Sequence, residues 1–463
     1  MDQRLEFDPA LLRKYDKPGP RYTSYPTAPN FSAAVGATQF AAAIRASNSA
    51  DALGGPPAGL SLYVHLPFCE KLCYFCGCNM VVRRDHQRSY TYLDHLEKEL
   101  DAAAALVDPR RVVRQVHFGG GTPTFLPPEA LDRLIRALKS RFHFAENAEL
   151  GIEVHPNETR REHLEVLSSH GWNRLSMGVQ DFDEEVQRTI NRIQPEALTK
   201  QCLDDARALG MTSVNMDLIY GLPFQTEKRF AVTVDKIIAM NPDRLAVFNF
   251  AYLPDMIKHQ RLLPEDKLPP PEEKMKILGM TIEKLTKAGY VFIGFDHFAK
   301  PDDELARAQR DGTLHRNFQG YTTWKGLDLL AFGVSAISQV GRAYAQNKKA
   351  LPDYEAVADA TGLATERGFL MSDDDLLRRD VIMGLASQFS IDKKAIGARY
   401  KLDFDTHFAD ALAALAPMTD DGLVELTPDF VRVTTRGRMV VRNVCMPFDA
   451  YLKAGPTLFS RTV

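Results

Sequence analysis

No apolar run in this chain is long enough to cross a bilayer, no basic excess marks it, and cysteine occurs only six times in 463 residues. Each shortage excludes something. The longest apolar stretch, LDLLAFGVSAIS (327–338), falls short of the roughly 20 residues that a membrane helix needs. The formal net charge is −3, so no overall positive field recruits nucleic acid or an anionic membrane. The N-terminal stretch MDQRLEFDPALLRKYDKPGP has no apolar core of a secretory signal. Internal repeats and low-complexity tracts are also missing. A soluble cytoplasmic protein, with no membrane span and no nucleic-acid partner, is the expectation. The 45% of hydrophobic residues suffice for a sizeable core. At roughly 150 residues per domain the length suggests about three domains, unless one large α/β barrel absorbs much of it.

Four of the six cysteines, Cys69, Cys73, Cys76 and Cys78, crowd into PFCEKLCYFCGC (67–78), far from Cys202 and Cys445. A disulfide framework belongs to small secreted chains and spreads its cysteines. Crowded thiols in a cytosolic chain point to metal or redox chemistry. Structural zinc usually takes four ligands from two separated pairs, and no second pair exists here. Three thiolates on one short loop hold three irons of a cubane and leave the fourth without a protein ligand. Cys78 follows Cys76 too closely to be placed; second-shell, structural and substrate-facing roles all stand.

A strand–helix alternation begins near residue 60. Six β-like runs are SLYVHL (61–66), RQVHFG (114–119), ELGIEV (149–154), RLSMGV (174–179), SVNMDLI (213–219) and RLAVFNF (244–250), with helix-period stretches between most of them. Such βα repeats predict a parallel sheet with right-handed crossovers. Six of them suit an α/β fold closed only partly, a (β/α)6 barrel. Residues 1–58 read as an arm with one helix, 59–350 as the barrel with an extension, and 351–463 as a mostly helical, winged-helix-like domain. KLPPPEEK (267–274) reads as a linker or turn.

The C-terminal strand ends of such a barrel share one face, and that face carries the site. It gathers the thiol loop, GGGTPT (119–124), Glu153, Gln180, Asp217 and Ala251-Tyr252. The glycines allow close backbone approach and expose N–H groups, and they also suit a plain tight turn. Glu153 reads as an acceptor for an ammonium group or as a solvated strand-end charge. Asp217, in an apolar run, needs a partner, and an internal salt bridge rivals a ligand. Arg192 reads as a ligand contact or as the partner of a nearby acid.

The C-x-x-x-C-x-x-C loop after a first strand resembles the radical S-adenosylmethionine (SAM) superfamily. PGPRYTSYPTA, SLYVHLPFCEKLCYFCGCN, HFGGGTPT, NRLSMGVQDF, MDLIYGLP and HRNFQGYTT together resemble the oxygen-independent coproporphyrinogen III oxidases, over nearly the whole chain. The resemblance implies that Cys69, Cys73 and Cys76 ligate a 4Fe-4S cluster. It implies that Tyr63, Phe75, Gly120 and Glu153 hold a first SAM on the unique iron. Gly121, Thr122, Gln180, Arg192, Asp217, Ala251 and Ile337 match positions around a second SAM, and Cys78 matches an extra, non-ligand cysteine. Two small departures are His155, where Asp or Asn is expected, and TTWKGLD (322–328).

The implied reaction is oxidative decarboxylation of two propionates of coproporphyrinogen III to vinyl groups by a 5′-deoxyadenosyl radical, giving protoporphyrinogen IX. It requires an electron donor and acceptor that the sequence does not identify, and the chain reads as a monomer. The substrate's four carboxylates call for cations, with Arg21 and Arg316 as candidates. Tyr22, Tyr25, Tyr321 and Cys78 are further substrate-facing candidates, and PGPRYTSYPT a candidate lid. Two other readings compete. One is a radical-SAM-like haem chaperone, which shares the barrel but lacks the extra cysteine and the PRYTSYP arm. The other is a metal-stapled DNA-binding regulator, suggested by the C-terminal segment; against it, TTRGRMVVRN is only a small basic cluster.

Overall fold

The structure, a computed structural model, describes residues 5–452 and residue 461. All six expected runs form strands: Leu60–Leu66, Val112–Gly120, His143–Val154, Arg174–Gln180, Ser213–Tyr220 and Arg244–Asn249. They pair in parallel, each with the next in chain order. The reason lies in the period of two. Leu60, Leu62, Val64 and Leu66 are wholly buried, as are Val214, Met216 and Leu218. The intervening positions carry Ser61, Tyr63 and His65, then Asn215 and Asp217. One face of the sheet is therefore aliphatic and packs on helices, while the other is polar.

The described contacts divide the chain into two compact units. The first comprises residues 31–274 and 326–370, and holds the parallel strands. Its helices Gln87–Ala104, Pro128–Arg141, Arg161–Ser169, Glu196–Ala208 and Glu227–Met240 connect successive strands. LDLLAFGVSAIS is no helix. It forms Asp328–Phe332, which pairs in parallel with Leu60–Leu66, and Ile337–Val340, which turns back antiparallel. Ala343–Asn347 and Thr365–Leu370 continue that antiparallel extension. A fully buried strand and a buried helix share the same apolar signature, which is why this run is ambiguous in sequence.

A buried ion pair locks the extension to the parallel core. Arg111 Nη2 donates to Asp328 Oδ2 at 2.6 Å, and the same guanidinium reaches Ser47 Oγ and Ala58 O. Asp328 Oδ1 in turn accepts from Gly341 N at 2.8 Å. With its remaining hydrogen bonds supplied, the pair avoids the cost of an unpaired buried charge.

The second unit comprises residues 1–30, 275–325 and 371–463 within the described range. It contains the hairpins Val291–Gly294/His297–Ala299 and His315–Asn317/Gly320–Thr322, and the long helix Asp373–Gln388. Ser372 opens that helix with a capping box closed by Asp375. A small antiparallel sheet follows, with Phe430–Val433 between Ser390–Asp392 and Val424–Leu426.

Several boundaries differ from the sequence expectation. The N-terminal arm carries two α-helices, Pro9–Tyr15 and Ala37–Ser47, and they fall in different units. Residues 351–370 belong with the sheet, because Thr365–Leu370 finds its hydrogen-bond partner there. KLPPPEEK is only partly a linker, since Pro271 starts the helix Pro271–Lys287, where a missing N–H costs nothing. Among the described residues, no helix is long and apolar enough to cross a membrane.

Candidate active site

The thiol loop leaves the first parallel strand at Pro67 and is clamped from several sides. Phe68–Cys69 pairs in parallel with Val81–Val82. Tyr74 N donates to Ile190 O at 3.0 Å, and Asn191 Nδ2 donates to Leu72 O at 2.7 Å. Asn191 adopts φ +56°, a left-handed conformation that asparagine tolerates. Gln260, almost wholly buried, donates to Phe75 O and Ala251 O, and its Oε1 accepts from Leu253 N. His259 Nε2 sits 2.6 Å from Cys76 O. The loop backbone is thus fixed by distant residues, and its cysteine side chains are free of that task.

Two of the sulfurs have donors of their own. Thr122 Oγ1 lies 3.5 Å from Cys69 Sγ, and Arg192 Nη1 lies 3.7 Å from Cys73 Sγ. Burial pushes the Cys69 thiol up to about 12, with the Thr122 hydroxyl pulling the other way. Burial also raises Cys73, opposed by the Arg192 charge. The Cys76 thiol moves down, chiefly because Cys78 donates to it. So burial disfavours free thiolates at Cys69 and Cys73, and a metal centre is the natural way to hold those two ionised. Among the described residues, no three His, Cys, Asp or Glu side chains converge as ligands of one metal ion.

The three glycines at the end of the second strand each have a close neighbour where a Cβ would stand. A Cβ on Gly119 would meet the Glu153 carboxylate at 2.8 Å, and one on Gly120 the His65 ring at 2.8 Å. One on Gly121 would lie 2.6 Å from Phe68 O. Gly121 N donates to Leu66 O and Thr122 N to Phe68 O, which stitches this turn to the start of the thiol loop.

The polar face of the sheet supplies the rest. Strand register sets Tyr63 beside His117, and their rings stack at 11° with centroids 6.1 Å apart. His117 Nε2 stands 3.1 Å from Glu153 Oε1, and Gly120 N donates to Glu153 Oε2 at 3.3 Å. Burial alone would raise Glu153, but the His117 contact and the Gly120 N–H outweigh it, so this carboxylate stays ionised. It is an acceptor held by His117 and the Gly120 N–H at a strand end that stays partly open to solvent. Asp217 shows the opposite balance. Burial pushes its carboxyl up to about 7, and its hydrogen bonds come from the neutral Asn215 (2.7 Å) and Ser176 (3.4 Å). The rival reading of an internal salt bridge is therefore not realised among the described residues.

Arg192 also departs from its rival reading. Among the described residues it pairs with no acid; besides Cys73 it donates to Gly178 O at 2.5 Å, and its buried Nε has no partner there. Gly178 is glycine because a Cβ would meet Gln180 Nε2 at 2.7 Å and Arg192 Nη2 at 2.8 Å. Gln180 adopts φ +70°, and its buried Oε1 is likewise unpartnered. Two orphaned polar atoms on neighbouring groups mark a place built for a polar ligand. Phe75 packs against the apolar cluster of Val186, Ile190, Ile219, Leu222, Phe250 and Leu263. Ala251 follows the sixth strand, and Ile337 opens the antiparallel extension, half-buried. His155 is pushed well below its ordinary value by burial and by Arg192, and is neutral.

Alternating polar residues in the strands were the signal for several residues that motif reading passes over: His65, His117, Ser176 and Asn215. Only pairing across strands shows that they support Tyr63, Glu153 and Asp217.

The other candidates, Cys78 excepted, belong to the second unit. Tyr22 is 1% exposed, and its hydroxyl donates to Asp449 Oδ2 at 3.1 Å. Tyr25 is wholly buried and accepts from Ala450 N at 3.0 Å. Both are packed into the unit's interior, where their aromatic area is buried, and the PGPRYTSYPT segment is anchored there and is not a free flap. Arg21 is exposed. Arg316 is 9% exposed, with its guanidinium 4.6 Å from the Phe295 ring centroid and 4.9 Å from that of Tyr321. Tyr321 donates to Ala386 O at 3.0 Å. Cys78 is exposed next to Cys76.

Comparison with known proteins matches this arrangement. Residues 63–237 match the radical SAM superfamily, and residues 371–440 match the HemN C-terminal domain. The chain is 49% identical over 463 residues to the oxygen-independent coproporphyrinogen III oxidase of Escherichia coli (strain K12), covering 100% of this chain and 99% of that one. It is 45% identical over 465 residues to the protein of that name from Synechocystis sp., with 99% and 98% covered. The solved structure of coproporphyrinogen III oxidase (HemN) from Escherichia coli, described as a radical SAM enzyme, superposes with a TM-score of 0.92 at 48% identity, covering 97% of this chain and 100% of that one.

Proposed function

Because this chain belongs to the oxygen-independent coproporphyrinogen III oxidases of the radical SAM superfamily, we propose that Cys69, Cys73 and Cys76 are the protein ligands of its 4Fe-4S cluster. The activity is the oxygen-independent oxidation of coproporphyrinogen III, a step of haem biosynthesis. The observation that carries the ligand set is the loop itself. Three cysteines share one backbone clamped by Asn191, His259 and Gln260, while Cys202 and Cys445 are buried and far from that loop in sequence. Cys78 is left off the cluster and beside Cys76.

Held by these cysteines, the cluster would supply one-electron reducing chemistry to a bound SAM. The chain's own residues do the positioning. Glu153, kept ionised by His117, receives the ammonium of a first SAM. Gly120 offers backbone approach beside it, and Tyr63 and Phe75 border the ligand. Thr122 and Arg192 donate toward cluster sulfurs, which stabilises the reduced, more negative state. Gln180, Arg192 and Asp217, with Gly121, Thr122, Ala251 and Ile337, form the second SAM site. The unpartnered Gln180 Oε1 and the neutral-leaning Asp217 supply hydrogen bonds there without adding fixed charge. Arg21 and Arg316 meet substrate carboxylates. A thiolate-held cluster needs a reducing compartment, which favours the cytoplasm.

Anaerobic reconstitution tests this reading. Iron and sulfide analysis, EPR with and without SAM, and turnover of coproporphyrinogen III are the measurements. A cluster whose EPR signal is shifted by SAM supports it. A cubane saturated by four cysteinyl sulfurs, or bound zinc alone, would overturn it.

A further inference from the structure

The second unit holds a charge cluster that the cluster and SAM sites do not explain. Asp296 lies in the turn between Val291–Gly294 and His297–Ala299, half-buried. Among the described residues it makes no hydrogen bond or ion pair; burial raises its carboxyl, and the charges of Arg21, Arg442 and Arg316 pull it down. Three guanidiniums are thus within electrostatic reach of one carboxylate that is bonded to none of them, and one of them, Arg316, stands over the ring of the adjoining Phe295.

The guanidiniums differ in what they do. Arg442 is committed to backbone: it donates to Gly19 O at 2.7 Å and Pro20 O at 3.1 Å, fixing the chain just before Arg21. Arg316 is the reverse case. It is more than nine-tenths buried and lies against the rings of both Phe295 and Tyr321, and among the described residues its buried Nε and Nη1 have no partner. Unsatisfied buried guanidinium nitrogens are costly unless a ligand completes them. A simple anion site would explain the arginines. It would not explain why an unbonded carboxylate stands among them, since that charge competes with any anionic ligand.

A ligand bearing both carboxylates and N–H donors accounts for both features. We propose that Asp296 is a substrate-binding residue that accepts the pyrrole N–H groups of the porphyrinogen, while Arg316 and Arg21 take its carboxylates and Arg442 positions Arg21. This deepens the coproporphyrinogen III reading above and rests on it. A tetrapyrrole at the porphyrinogen level presents four N–H donors, and a buried carboxylate is the strongest acceptor a side chain offers.

The sign of one measurement decides the matter. The dissociation constant for coproporphyrinogen III is measured by anaerobic equilibrium dialysis on the reconstituted holoenzyme without SAM, for wild type, Asp296→Asn and Asp296→Ala. Iron content and thermal melting are recorded in parallel. Loss of an N–H acceptor weakens binding, by about ten-fold or more in Asp296→Ala. Asp296→Asn, which keeps a neutral acceptor oxygen, falls between. If Asp296 only offsets the arginines, its removal leaves more positive charge and a tetracarboxylate binds tighter. An unchanged or tighter constant in a variant with normal iron and melting overturns the proposal. Arg316→Gln is expected to weaken binding in either case. Failure of the wild type itself to bind and turn over the substrate would instead overturn the functional reading.

Discussion

Arg192 Nη1 lies 3.7 Å from Cys73 Sγ, although 119 residues separate the two in sequence. The same guanidinium donates to Gly178 O, so one side chain ties the thiol loop to the fourth parallel strand. That position gives it two roles, one electrostatic and one structural.

Replacing Arg192 separates them. Arg192→Leu removes a positive donor near a cluster ligand, so the cluster becomes harder to reduce and its midpoint potential moves to more negative values. It also leaves Gly178 O without its partner, at a cost of about 1–3 kcal/mol. Arg192→Lys keeps the charge but not the fork, and shifts the potential less. Anaerobic potentiometry with EPR detection reads the first effect and thermal melting the second. A potential unmoved in Arg192→Leu would remove the electrostatic role.

Single cysteine variants should divide sharply. Cys69→Ala, Cys73→Ala and Cys76→Ala each lose most cluster iron after reconstitution. Cys78→Ala is expected to retain the wild-type iron content, as the proposed set of three ligands requires of a thiol that stands beside Cys76. Loss of iron in Cys78→Ala to the same degree as the others would refute the three-ligand assignment.

Gly121→Ala probes the junction of the glycine turn and the thiol loop. The added Cβ would lie 2.6 Å from Phe68 O and 2.7 Å from Pro67 O, and backbone atoms cannot swing aside as a flexible side chain does. A destabilisation of about 1–3 kcal/mol is expected, with weakened cluster retention because Phe68 leads directly into Cys69. Differential scanning calorimetry and iron analysis check it; a variant with wild-type values on both counts contradicts the tight approach.

Glu99 makes part of the stability depend on pH. It is 2% exposed and accepts from Gly333 N, Tyr354 Oη and Asn347 Nδ2. Burial outweighs these donors and pushes its carboxyl from 4.5 up to about 7. A raised folded-state value means that the contribution is complete below the unfolded value and is lost as pH rises through the folded one. Between about pH 4.5 and 7 the loss is on the order of 3 kcal/mol. Glu99→Gln should therefore show a flatter fall in melting temperature from pH 5 to 8 than wild type. Parallel curves would mean that Glu99 does not titrate in this window.

Much of this protein is written locally. Period-two apolar runs such as SLYVHL and SVNMDLI marked all six parallel strands, because an aliphatic face against helices forces that alternation regardless of what lies beyond the strand. The spacing of Cys69, Cys73 and Cys76 marked the reactive loop for a similar reason: a short loop brings its own side chains together. The register-dependent part was not legible. Nothing near His117 in the sequence says that it stacks on Tyr63 and steadies Glu153, and nothing near Arg192 says that it reaches Cys73. Those pairings join residues tens to more than a hundred positions apart, and only strand register and chain closure decide them. The same holds for Tyr22 and Tyr25, whose exposed-looking, proline-rich surroundings gave no sign that folding would bury them. Local sequence set the elements and the reactive thiols, while the charge balance at Glu153, Asp217 and Asp296 exists only once distant chains have excluded water and brought their partners near.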